Sequence, residues 1–145
     1  MILLDTNVIS ELIGPAPAAE VVEWLDQQSA SSIWTTTVTL YEIRAGILSA
    51  PAGRRRFELE SRFDRWLATG LGGRILEFGP AAAEQAASLY ADRKHRGRPI
   101  DARDTMIAGI VLANRATLAT RNTRHFEELR PRLVNPWEAE SKACS

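Results

Sequence analysis

Cysteine is nearly missing from this chain. Its 145 residues hold one, Cys144, beside the C-terminus. One cysteine makes no internal disulfide, and with only His95 and His125 as histidines no Cys/His zinc site can be assembled. That usage points to a reducing, cytoplasmic setting. Long apolar runs are also missing: the longest, Met106 to Ala113, is far short of the ~20 residues that span a bilayer. The opening Met1-Ile-Leu-Leu-Asp5 has no basic stretch and meets a carboxylate too soon for a signal peptide. Absent too are a Gly-x-x-x-x-Gly-Lys phosphate loop and a Gly-x-Ser-x-Gly nucleophile elbow, and Gly70-Leu-Gly-Gly73 lacks the third glycine of a dinucleotide fingerprint. Secreted, membrane-spanning, P-loop and serine-hydrolase classes are therefore not expected.

What is present fits one globular domain over residues 1–145, with the last residues from about 139 as a flexible tail. Hydrophobic residues make up 45% and charged residues 25%, ordinary for a chain that buries a core without staples. Net charge is zero, but the balance is uneven. Residues 1–50 carry a net −5, with Arg44 as their one base, whereas residues 93–132 carry +6. Of 18 basic residues only Lys94 and Lys142 are lysines. Arginine's planar fork suits phosphate, so the bias leans toward nucleic acid, although solvated helix faces account for it as well.

Patterning predicts strands alternating with helices. Ile2-Leu3-Leu4 reads as a buried strand, Ile33 to Thr37 as a second, Ile75 to Phe78 as a third and Thr117 to Thr120 as a fourth. Leu133-Val134 is a candidate fifth. Between them lie a short helix around Val8 to Leu12 and amphipathic helices around Val21 to Leu25 and Leu40 to Leu48. A further one runs from Arg54 to Ala68, with Phe57, Phe63, Trp66 and Leu67 as its apolar residues. Pro80 starts an alanine-rich helix to about Arg96. Asp101 to Ala116 is apolar nearly all round after Thr105 and belongs in the core. This order predicts an α/β fold, a three-layer α/β/α sandwich on a central, mostly parallel sheet. In such sheets ligands sit beyond the carboxyl ends of the strands.

At that rim four stretches deliver oxygen ligands. Asp5 ends the first strand, Glu42 lies one turn into the helix after the second, Asp104 opens the apolar helix, and Asn122 follows the fourth strand. Three crowded carboxylates resist ionisation unless a cation compensates. Oxygen donors suit Mg2+ or Mn2+, and the chemistry implied is water activation and phosphodiester hydrolysis. Each residue also has a plainer reading: Asp5 and Asn122 as turn residues, Glu42 as helix surface. Asp101 and Asp104 both stand where a helix cap would. We take Asp101 as the cap and Asp104 as the ligand, because the following helix points Asp104 inward. His125, alone in a loop, reads as surface.

These segments resemble the PIN-domain proteins, in particular VapC toxins and their FitB-like group. The resemblance rests on Met1-Ile-Leu-Leu-Asp5-Thr-Asn-Val-Ile-Ser-Glu11, Glu42-Ile-Arg-Ala-Gly46, Asp104-Thr-Met-Ile-Ala108, Thr117 through Phe126 and Asn135-Pro-Trp137, in that order along almost the whole chain. It implies a Mg2+- or Mn2+-dependent endoribonuclease, usually a toxin held inactive by a cognate antitoxin. The catalytic set carried over is Asp5, Glu42, Asp104 and Asn122, with Asp5, Glu42 and Asp104 as metal ligands. Many relatives have aspartate where this chain has Asn122, so a single well-held metal is expected. Thr6, Arg44, Arg103 and Arg121 are candidate substrate contacts around the acidic pocket. RNA and an antitoxin are the expected partners, with a homodimer or higher homo-oligomer to which Trp34 and Trp66 could contribute. Two other readings compete. A catalytically idle PIN-like module that binds RNA or protein would have little reason to keep three carboxylates at one rim. A phosphatase using Asp5 as nucleophile would need a second aspartate where Asn7 stands.

Overall fold

A computed structural model describes residues 1–99 and 101–139; the expected tail beyond residue 139, with Cys144, lies outside them. Five parallel strands form the central sheet: β1 (Ile2–Leu4), β2 (Ile33–Thr36), β3 (Ile75–Leu76), β4 (Thr117–Ala119) and β5 (Leu133–Val134). They stand in the order β3-β2-β1-β4-β5. Among the described residues six α-helices connect them: α1 (Thr6–Ile13), α2 (Ala19–Asp26), α3 (Thr37–Ser49), α4 (Arg54–Arg65), α5 (Pro80–His95) and α6 (Ala102–Asn114). The expected α/β/α sandwich is what forms. The third strand is shorter than its apolar run suggested, because the chain leaves the sheet after Leu76.

The short strands are nearly all apolar or threonine, as strands covered on both faces must be. Leu3 faces one core, with Ala82, Leu89, Ile107, Ile110, Val111 and Leu118 from α5, α6 and β4. Leu4, pointing the opposite way, faces the other, with Val8, Ile9, Val21, Ile43 and Phe63 from α1 to α4. Helix α6 is buried from Thr105 through Val111 apart from Met106, as its unbroken apolar run predicts. Phe57 departs from expectation: it is 69% exposed on α4, while Phe63 on the same helix is buried and stacks on Trp66 with ring centroids 6.4 Å apart.

The strand order fixes the site. From β1 the chain proceeds outward through β2 to β3, then returns to the other side of β1 for β4 and β5. Strands β1 and β4 therefore flank the switch point, where the loops beyond their carboxyl ends part and leave a crevice. Asp5 follows β1 there, and Thr120-Arg121-Asn122 follows β4.

A candidate active site at the switch point

Asp5 is the most buried carboxylate of the rim, 4% exposed. It caps α1, its Oδ1 accepting the Thr6 N–H at 2.8 Å. Its Oδ2 accepts the Thr120 hydroxyl at 2.7 Å and the Asn7 amide at 3.3 Å. The same two loops interlock further: the Arg121 N–H donates to Asn7 Oδ1 at 3.0 Å, and the Asn122 N–H to Thr120 Oγ1 at 3.0 Å. Burial pushes the Asp5 carboxyl above its usual range. Those hydrogen bonds pull against the rise, and the nearby Asp104 charge adds to it.

Glu42 projects from the second turn of α3, its side chain 18% exposed. Desolvation raises its carboxyl as well. Arg103, at 3.7 Å, opposes the shift, while the charges of Asp5 and Asp104 reinforce it. The Thr6 hydroxyl also favours the ionised form of Glu42, yet Thr6 Oγ1 is buried without a hydrogen-bond partner. A buried hydroxyl beside Glu42 without a well-formed hydrogen bond leaves polar capacity open at the rim. One turn on, Gly46 leaves this side of α3 open, and a cleft lined by Thr6, Glu42, Gly46 and Leu59 runs from it.

Asp104 completes the acidic set from the first turn of α6. Asp101 is the cap, its Oδ1 accepting the Asp104 N–H at 3.0 Å, and Asp104 Oδ2 is free to meet His125 Nδ1 at 2.9 Å. His125 lies on the surface as expected, its side chain 58% exposed, yet its ring meets Asp104. It reaches Asp104 because a 3₁₀ segment over Thr123–Leu129 turns it back toward α6, with its N–H on the Asn122 carbonyl at 3.0 Å. Asn122 is exposed, and its side chain makes no hydrogen bond among the described residues.

The candidate substrate contacts separate into two kinds. Thr6 and Arg103 lie at the carboxylates themselves. Arg121 lies over the Trp137 ring at 4.8 Å, a cation–π contact beside the crevice. Arg44 is engaged elsewhere, paired with Asp64 and set 4.8 Å over Phe63. Sequence reasoning missed Thr120, Asn7 and His125. The first two could have been suspected from Asp-Thr-Asn and Thr-Arg-Asn as two polar triplets ending neighbouring strands; the third stands in a loop, where nothing local ties it to a helix carboxylate 21 residues away.

Among the described residues no group of three or more His, Cys, Asp or Glu side chains closes into a ready-made metal cage. The three carboxylates feel one another's charge without wrapping a single point. Their chemistry nonetheless fits a hard divalent cation: all donors are oxygen, two are raised by desolvation and mutual repulsion, and the Thr6 hydroxyl beside them lacks a partner.

Comparison with known proteins shows the family and the fold. The family model for the PIN domain matches residues 2–130. The plasmid stability protein StbB of Pseudomonas syringae pv. tomato is 40% identical over 96% of this chain and 100% of its own length. The VapC ribonuclease Y4jK of Sinorhizobium fredii is 38% identical over 95% of this chain and 99% of its own. The crystal structure of FitAcB from Neisseria gonorrhoeae superposes with a TM-score of 0.86 at 34% identity, covering 96% of this chain and 100% of that one.

Proposed function

The chain belongs to the PIN-domain family, and we propose on that premise that it is a metal-dependent endoribonuclease, the toxin of a toxin–antitoxin pair acting in the cytoplasm. The observation that carries this reading is the convergence of Asp5, Glu42 and Asp104 from three separate stretches onto one crevice, two of them held above the usual carboxylate range. Repelling carboxylates in a desolvated place weaken a fold unless a cation sits among them. Asp5, Glu42 and Asp104 would hold Mg2+ or Mn2+. Such an ion, when bound, activates water and offsets charge during phosphodiester hydrolysis.

The chain's own residues supply the rest. Thr120, Asn7 and the Thr6 N–H fix both oxygens of Asp5, so that ligand is aimed before anything binds. His125 does the same for one oxygen of Asp104. Asn122 offers a neutral carbonyl oxygen in the fourth place, adding no demand for a second cation. Arg103, more than half exposed beside Glu42, is free to swing toward an RNA phosphate, and Thr6 and Arg121 extend the same rim. An antitoxin would close the crevice by setting a cationic side chain against the carboxylates.

Incubating the purified protein with total RNA tests the reading. Cleavage is expected with Mn2+ and is lost on chelation. RNA binding without cleavage in Mn2+ would instead support the idle binding module. Expression alone should arrest a bacterial host, and Asp5→Ala should relieve the arrest; toxicity that persists in the variant argues for another mechanism.

A further inference from the structure

A cavity of about 210 Å³ adjoins the acidic rim, with Asp104 itself on its wall. One wall is the end of α5 with Arg98 and Pro99; the other joins Asp101 on α6 to Arg124 and His125 on the 3₁₀ segment. Its floor is rigid. Arg93, only 4% exposed, grips Glu128 through two hydrogen bonds of 2.9 and 3.1 Å and donates to the His125 carbonyl at 2.6 Å. Arg98 adds a third bond to Glu128 at 3.2 Å, and this network holds the Glu128 carboxyl below its usual range. The clamp fastens the 3₁₀ segment to α5, so the cavity is formed before a ligand arrives.

The charges around it decide what it suits. Arg93 and Arg98 are balanced by Glu128 and Glu127, and Asp101 and Asp104 add carboxylates to the wall. Such a lining is no trap for a bare anion. What it leaves over is Arg124, with no ionic partner among the described residues, together with the His125 ring and Asp101. One oxygen of Asp101 caps α6, and the other is left as an acceptor. Planar cationic and imidazole surfaces next to one free acceptor are the elements that hold an unstacked nucleobase. The free oxygen accepts from any base N–H, and stacking on a guanidinium or an imidazole tolerates every base.

We propose that this cavity is a base-binding subsite, which receives one unpaired RNA base next to the bond cut at the carboxylates. Arg124 is its stacking residue. The proposal rests on the ribonuclease reading, and its test separates the two. A cleaved RNA oligonucleotide is remade with each nucleotide flanking the cut replaced in turn by an abasic one, and cleavage in Mn2+ is measured. For wild type, losing the base at one flanking position should raise KM roughly tenfold, as loss of one stacked base does. Arg124→Ala should raise KM similarly on the intact RNA and be indifferent to the abasic change at that position. Arg124→Lys keeps the charge without the plane and should not restore the difference. A wild type indifferent to every abasic change, an Arg124→Ala variant that keeps the difference, or full rescue by lysine overturns the subsite while leaving the nuclease in place. A wild type that cuts no RNA in Mn2+ overturns both.

Discussion

Helix α6 carries two regions built on opposite terms. At its first turn Asp104 joins a rim where carboxylates repel one another and part of their hydration is lost. Farther along, Gly109 lies against α5 so closely that an added Cβ would come within 2.5 Å of the Ala82 carbonyl oxygen and 2.8 Å of Ala86 Cβ. The interior half gains from contact: small residues let two backbones approach, and apolar burial with dispersion does the rest. The rim gains nothing until a ligand arrives. One helix thus separates what holds the protein together from what readies it to act, and the two should respond to mutation independently.

The largest effect should come from the rim. Asp5→Asn removes a ligand charge while keeping shape, and cleavage in Mg2+ should fall by more than the ~100-fold that bounds the loss of an outer partner. Undiminished cutting would remove Asp5 from the catalytic set. The interior should answer in the other currency. Gly109→Ala forces a methyl into the α5–α6 contact and should lower the unfolding free energy by about 1–3 kcal/mol in a urea titration. Its cleavage rate per folded molecule should match wild type; a parallel loss of rate would mean that the two ends of α6 are coupled.

A smaller effect sharpens the contrast through pH. Glu42 has its carboxyl raised by folding, so the folded state binds its proton more readily than the unfolded chain does. Its unfavourable contribution is absent below the unfolded value, near 4.5, and develops as pH rises through the raised folded value. In chelator at pH 7, Glu42→Gln should therefore melt slightly above wild type, with the gap closing as pH falls toward that acidic value. Added Mn2+ should reverse the order by stabilising only wild type strongly. A variant less stable than wild type in chelator would show that the ion pair with Arg103 outweighs desolvation. The smallest effect is expected at Arg44, tied to Asp64 and Phe63 on α4. Arg44→Ala should leave KM for RNA essentially unchanged and cost at most about 1 kcal/mol of stability, as loss of an exposed pair does; a clear rise in KM would return Arg44 to the substrate path.

Much of the rim was legible because its residues occupy positions that the backbone dictates. A carboxylate directly after a buried strand, as at Asp5, or in the first turn of an apolar helix, as at Asp104, is placed by chain direction alone. The expectation that Asp101 rather than Asp104 caps the helix is met, since its carboxylate accepts the N–H three residues on. What could not be read were side-chain partnerships across the fold. Thr120 meets Asp5 across 115 residues of chain, and Arg93 meets Glu128 across 35. Neither pairing has a local periodicity to announce it.

Alternating apolar runs and their punctuation thus determined the elements, the parallel sheet and the acidic rim, because burial on both faces of a strand and one face of a helix is written residue by residue. Only the tertiary structure decided that His125 turns back onto Asp104, that Arg44 is taken by Asp64 while Arg103 stays beside Glu42, and that Arg93 becomes a buried clamp under a cavity. Those outcomes depend on which long side chains meet once the strands are ordered. Hydrogen bonds and ion pairs act over a few ångströms, a range fixed only when the chain is folded.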